Sequence, residues 1–102
     1  MQAIDEAHPW DELAQLLKIL GHPIRLKIVA GLVTGACNVG KIWQCLELPQ
    51  PTVSQHLKLL RQEGILRAER HGKEVTYQVV DARVKQLLDA LEIDCRDVRL
   101  SA

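Results

Sequence analysis

Residues 49–63 read PQPTVSQHLKLLRQE, and the meaning of the flanking sequence depends on how that stretch folds. With Val53 at zero on a helical wheel, Leu57 and Leu60 fall within about 40° of it, forming a narrow apolar stripe. Pro51, Ser54, Gln55, Lys58, Arg61 and Gln62 lie on the opposite side. Short hydrogen-bonding side chains near a helix start can address base edges, and cations further along can neutralise phosphates. This pattern fits a helix lying in a major groove, and it equally fits an amphipathic helix on any protein surface. The neighbouring sequence shifts the balance.

A short helical pattern over residues 39–46 precedes the stretch, with Asn38 as its N-cap; it runs to about Glu47 before Leu48-Pro49 breaks it. The stretch itself ends near Glu63, with Gly64 available as the left-handed residue after the helix. Residues 66–70 and 74–79 then read as strands joined by His71-Gly72-Lys73. Val75, Tyr77 and Val79 alternate with Glu74, Thr76 and Gln78, so one face of the hairpin is apolar. Helix, turn, helix and hairpin follow each other in the order of a winged helix-turn-helix. At the wing tip, Arg70, His71 and Lys73 supply cations that can straddle a phosphate backbone or enter the minor groove.

Upstream, residues 9–20 predict a first helix with Pro9 in its first turn, Asp11 and Glu12 at the positive end of the dipole, and Gly21 as the stop. Trp10, Leu13, Leu17 and Leu20 mark its apolar stripe, with Leu16 beside them. Residues 22–34 predict a second helix whose apolar positions spread around the wheel, as in a segment buried on several sides; His22 reads as its entry residue. Downstream, Asp81 caps a last helix over residues 82–95, on which Val84, Leu87, Leu88, Leu91 and Cys95 form a stripe continued by Val98. In so short a chain, that stripe is most economically covered by the first helix and a second subunit.

At 102 residues the chain suffices for one compact domain, and its lack of Phe calls for an aliphatic core. Net charge is zero, but residues 50–85 carry seven Lys/Arg against four Asp/Glu, placing the basic excess on the expected reading helix and wing. The start, MQAIDEA, has neither a basic region nor an apolar one, and no run approaches a membrane span, so the expectation is a soluble, cytoplasmic protein. Cys37, Cys45 and Cys95 are odd in number and share no CxxC spacing, which argues against a disulfide framework.

The motifs Gln50-Pro51-x-x-Ser54-x-His56-Leu57-x-x-Leu60-Arg61, Gly64-Ile65-Leu66 and Arg70-x-Gly72-Lys73-x-x-x-Tyr77 resemble the ArsR/SmtB family of bacterial repressors. Leu20-Gly21-His22-Pro23-x-Arg25-Leu26-x-Ile28 resembles the opening signature of the same family. The resemblance covers roughly residues 10–95. It implies a mainly α domain with a small β-hairpin: five helices and a two-stranded wing, in a homodimer joined through the terminal helices. On that expectation, residues 1–102 form one winged helix-turn-helix domain. Its first and last helices, about 9–20 and 82–95, serve dimerisation, through Trp10, Leu13, Leu17, Leu87, Leu88, Leu91 and Cys95. Residues 38–80 bind DNA.

Members of that family release DNA when an inducer reaches a sensor site, and the resemblance allows the known sites to be compared. The arsenic- and cadmium-type cysteines align with Asn38 and Gly40, so both ligands are missing, and Cys37 stands one position early. The zinc-type site on the last helix aligns with Asp81, Arg83, Asp94 and Asp97, and Arg83 puts a permanent cation where a His ligand belongs. The early cysteine of the family's thiol sensors aligns nearer Ala30 than Cys37. Three readings of Cys37, Cys45 and Cys95 stay open: inert core thiols, a redox, reactive-sulfur or thiophilic switch, and a metal site of unfamiliar geometry. No cofactor is required, though a thiophilic metal or metalloid fits the second and third readings.

The expected function is therefore a repressor that binds double-stranded operator DNA and is released by an inducer. Gln50, Thr52, Ser54 and Gln55 would read bases, Lys58 and Arg61 would contact phosphates, and Arg70, His71 and Lys73 would lie along the wing. His56, about 60° from Val53, is either a phosphate contact or a buttress of the helix packing. Two other classes compete. A thiol enzyme lacks any nearby His, Gly-rich loop or CxxC to activate its cysteines. A winged-helix protein-interaction module would have weak DNA binding with little salt dependence.

Overall fold

The structure, a computed structural model, describes residues 9–33, 37–38 and 46–93. These form α1 (Trp10–Leu20), α2 (Pro23–Leu32), β1 (Cys37–Asn38), α3 (Gln50–Gln62), β2 (Leu66–His71), β3 (Glu74–Val79) and α4 (Ala82–Ala90). The expected fold class is borne out: helices lead into a β wing, and α3 carries the stretch expected to read DNA. The helix expected over residues 38–47 lies outside the described residues except at its ends. There Leu46 is helical, and Glu47 takes a left-handed φ of 53°.

Each helix begins and ends for a local reason. Proline suits a first turn because the amide hydrogen it lacks would go unpaired there. Pro9 precedes α1, Pro23 opens α2, and Pro51 sits in the first turn of α3. His22 is the N-cap of α2, its Nδ1 accepting the Ile24 N–H at 3.1 Å, and Asp81 caps α4 by accepting the Arg83 N–H at 2.9 Å. The reading helix closes in a paired reverse turn. The Gly64 N–H donates to the Arg61 carbonyl and the Ile65 N–H to the Leu60 carbonyl, both at 3.0 Å, with Gly64 at φ +78°. Ile65 and Leu60 are both buried at this corner, so the turn also seats the chain for β2.

The core is aliphatic, as the composition requires. Leu16, Ile19 and Leu20 of α1 meet Ile28, Val29 and Leu32 of α2, the stripe Val53, Leu57 and Leu60 of α3, and Val84 and Leu88 of α4. Ile65, Leu66 and Val79 close it at the base of the wing. In α2, five consecutive residues from Ile28 to Leu32 are buried, leaving that half of the helix no solvent face.

Four expectations need correction. The wing is part of a three-stranded sheet in the order β1-β3-β2, because Cys37 and Asn38 pair with Tyr77 and Thr76. His71 belongs to β2, opposite Glu74, so the turn is only Gly72-Lys73, with Gly72 at φ +65° as a two-residue hairpin demands. The last helix stops at Ala90: the Glu92 N–H donates to the Asp89 carbonyl and the Ile93 N–H to the Leu88 carbonyl, with Glu92 at φ 57°. Ile93 thereby turns back to pack on the core, and residues 94–102, Cys95 included, lie outside the described residues. The apolar residues of α1 face two ways rather than one. Leu20 turns inward with Leu16 and Ile19, whereas Trp10 and Leu17 are 50% and 56% exposed.

The closing turn of α3 generates a test of the fold. Gly64 has nothing within 4 Å of where a Cβ would stand, so Gly64→Ala meets no clash and carries only the backbone cost of a left-handed residue. That cost is about 1–2 kcal/mol, to be read as a lowered midpoint in thermal or urea unfolding.

Candidate nucleic-acid interface

The reading helix is held by its buried stripe, and what remains outside is polar. Val53, Leu57 and Leu60 are buried, while Gln50, Pro51, Ser54, Gln55, Lys58, Arg61 and Gln62 are exposed. Thr52, between the two faces on the wheel, is half-buried. The exposed groups run from uncharged hydrogen-bonding side chains at the N-terminal end to Lys58 and Arg61 at the C-terminal end. In α3 itself no carboxylate interrupts them.

The wing adds a second polar surface. Arg70, His71 and Lys73 are all exposed, but strand alternation sends neighbours Arg70 and His71 to opposite faces, so the three do not form one cluster. His71 lies 3.7 Å from the Glu69 carboxylate, and Glu74 stands across from it, so the tip mixes charges. Arg67 is a further exposed cation on β2, and its Nη2 donates to Gln78 Oε1 at 3.3 Å. Sequence reasoning passed it over because it singled out the charges at the turn; the strand register is what pairs it with Gln78.

His56 is half-buried and faces α2. Its ring stands 4.7 Å from that of His22, centroid to centroid, at an interplanar angle of 51°. Burial, followed by the neighbouring charges of His22 and Arg25, holds its imidazole below the usual histidine range. Arg25 Nε donates to the Ile19 carbonyl, bridging α2 to α1.

The candidate sensor positions separate clearly. Cys37 has its backbone in β1, while Cys45 and Cys95 lie outside the described residues, as do Asp94 and Asp97 of the zinc-type alignment. Asp81 is described, and its carboxylate is fully engaged: Oδ1 accepts from Arg83 N and Nε, and Oδ2 accepts from Arg83 Nη2 at 2.8 Å. Those hydrogen bonds hold the carboxyl below the usual range. Any metal at Asp81 must first displace a guanidinium. Leu88, expected at a subunit interface, is only 1% exposed within one chain and has no surface to offer a partner.

A helix docked by three aliphatic side chains, polar outward and flanked by a β wing, defines a winged helix-turn-helix regulator. The comparisons place it further. The family model "Bacterial regulatory protein, arsR family" matches residues 22–68. The chain is 43% identical over 81 residues to the "Biofilm growth-associated repressor" of Xylella fastidiosa, covering 79% of this chain and 71% of that protein. It is 44% identical over 79 residues to the "Transcriptional repressor PagR" of Bacillus anthracis, covering 76% of this chain and 79% of the relative. The crystal structure of the transcriptional repressor BigR from Xylella fastidiosa superposes with a TM-score of 0.77 at 43% identity, over 80% of this chain and 84% of that one. This chain belongs to the ArsR family of bacterial regulatory proteins.

Asp81 generates the second prediction. Asp81→Ala removes the cap of α4 and lowers stability by about 1 kcal/mol, whereas Asp81→Asn keeps a capping oxygen and loses less. A depressed carboxylate contributes stability above its ordinary value of about 3.9 and loses it as pH falls through the lower folded value. The wild-type advantage over Asp81→Ala in thermal unfolding is therefore full at neutral pH and fades below about pH 4.

Proposed function

We propose that this chain represses transcription by binding a palindromic operator as a twofold dimer. The observation that carries the reading is α3: its apolar stripe is spent on the core, so its polar face is left for another molecule, with the wing beside it. The relatives named above are repressors, a regulatory class rather than an enzyme class. In the complex, Gln50, Thr52, Ser54 and Gln55 read base edges and Lys58 and Arg61 bind phosphates, while Arg70, His71 and Lys73 reach the backbone from the wing. The partly buried Thr52 contributes least. His56 serves the packing of α3 rather than a phosphate. Such a protein works in the cytoplasm, and no described helix is long and apolar enough to cross a membrane.

The dimer rests on an exposed apolar surface. Trp10, Leu13 and Leu17 of α1 and Leu87 of α4 line one groove, and Leu91, 56% exposed, is a further apolar residue at the end of α4. A second copy covers these residues and sets two reading helices about one DNA turn, or ~34 Å, apart. The candidate thiols for release by an inducer are Cys37, Cys45 and Cys95, of which Cys37 has its backbone paired with β3 of the wing.

Three outcomes test this reading. Anisotropy on operator and scrambled duplexes should show Gln55→Ala losing about 1–3 kcal/mol on the operator alone, and equal loss on both would remove its base-reading role. Arg61→Ala should weaken both duplexes and reduce the salt slope by about one ion. Leu17→Glu, at a site already half in solvent, should leave the fold intact and convert dimer to monomer in sedimentation, with operator affinity lost; a dimer that survives it would place the interface elsewhere. Oxidation and thiophilic metals, applied to the reduced wild type, decide whether the cysteines act in release.

A further inference from the structure

His22 and His56 belong to different helices and different motifs, yet they meet. His22 sits where α1 ends and α2 begins, and its Nδ1 is committed as the acceptor for the Ile24 N–H at 3.1 Å. An imidazole that accepts at Nδ1 carries its one proton on Nε2, so the cap exists only while the ring is neutral. The His56 ring, midway along α3, packs against it at 4.7 Å, and both side chains are half-buried and open to proton exchange. Arg25 lies close enough to act on His56, and its Nε is fixed by the Ile19 carbonyl.

The charges around the pair favour one protonation state. Neither α2 nor α3 contains an Asp or Glu, so no carboxylate on the two helices that make the contact can neutralise an added proton. On α2 the other charge is Lys27, and on α3 it is Lys58 and Arg61, all exposed. β2, which also packs on α3, presents Arg67, Glu69 and Arg70 as exposed side chains, with Glu69 beside His71, while α1 and β3, which pack on α2, carry Asp11, Glu12, Lys18 and Glu74, all exposed to solvent. A proton on either ring therefore faces the fixed guanidinium of Arg25 and the second imidazole. On His22 it also removes the cap of α2.

We infer that the His22–His56 pair is a positioning contact that holds the reading helix at its DNA-competent angle only while both rings are neutral, so that operator discrimination weakens on acidification. The inference rests on the proposed role of α3 in reading DNA. His56 adjoins Gln55, and repulsion at the pair turns α3 about its axis and moves Ser54 and Gln55 together; base readout tolerates displacements of only about 0.5 Å. The sign follows from the neutral state of the fold. The His56 ring, held below its ordinary value of about 6.5, keeps the contact through that pH, and the contact is lost as pH falls through the lower value that the fold imposes. General electrostatics runs the other way, since acid adds positive charge to the protein and tightens non-specific DNA binding.

The test uses the full chain, a duplex selected by it from a random library at about pH 7.5, and a scrambled duplex, with anisotropy read down to about pH 5.5. The ratio of the two affinities should fall about tenfold in the wild type. His56→Gln and His22→Asn, the latter keeping a capping side chain, should give nearly flat profiles, while the wing control His71→Gln keeps the wild-type fall. Histidine ring resonances of the wild type should show the His56 ring titrating below the ordinary range, which gives a readout even if a variant fails to fold. Titration of His56 near the ordinary value, or a fall in His56→Gln as steep as in the wild type, would overturn the inference. An operator preference that ignores pH overturns the inference alone, whereas no preference at any pH overturns the DNA-reading role of α3 as well.

Discussion

The docking of Val53, Leu57 and Leu60 into the aliphatic core is the constraint on which the other features depend. Each such side chain contributes about 1.5–3 kcal/mol on burial, so three of them amount to a large part of the 5–15 kcal/mol that stabilises a typical domain. Because the stripe is narrow, it fixes the rotation of α3 about its own axis as well as its attachment. Rotation matters more here than attachment, since it decides which polar side chains stand outward. The same packing that stabilises the fold therefore aims Ser54, Gln55, Lys58 and Arg61.

Around that helix, the ends of elements do much of the positioning. The paired turn at Gly64 and Ile65 sends the chain from α3 directly into β2, so helix and wing leave one buried corner formed by Leu60, Ile65 and Leu66. At the other approach, Arg25 ties α2 to the last turn of α1 and His22 joins α2 to α3. The outer polar face is supported from behind by half-buried groups. This division explains why His56, within the motif, behaves unlike its neighbours.

Much of this was legible in the sequence because it rests on local periodicity. The stripe at Val53, Leu57 and Leu60 predicts the buried side of α3, Gly64 predicts its stop, and alternation at Val75, Tyr77 and Val79 predicts β3. The exposed face of α3 follows by subtraction. The failures are of another kind. β1 has two residues, too few to show any period, and exists because β3 offers it an edge. The end of α4 was missed because Glu92 is a poor left-handed residue; Ile93 is drawn to the core and the helix is cut short for it.

The linear chain determined which residues form helices and strands, where glycine permits a turn, and which face of α3 is spare, since each of these depends on neighbours within a few residues. Tertiary structure decided what depends on distance in space. It divided the apolar residues of α1 between the core and an outer groove, withdrew Leu88 from the surface, and parted Arg70 from His71 across the sheet. It also brought together His22 and His56, separated by 34 positions in the chain, into ring contact. No periodicity in the sequence encodes that meeting, because it comes from the angle at which two helices cross.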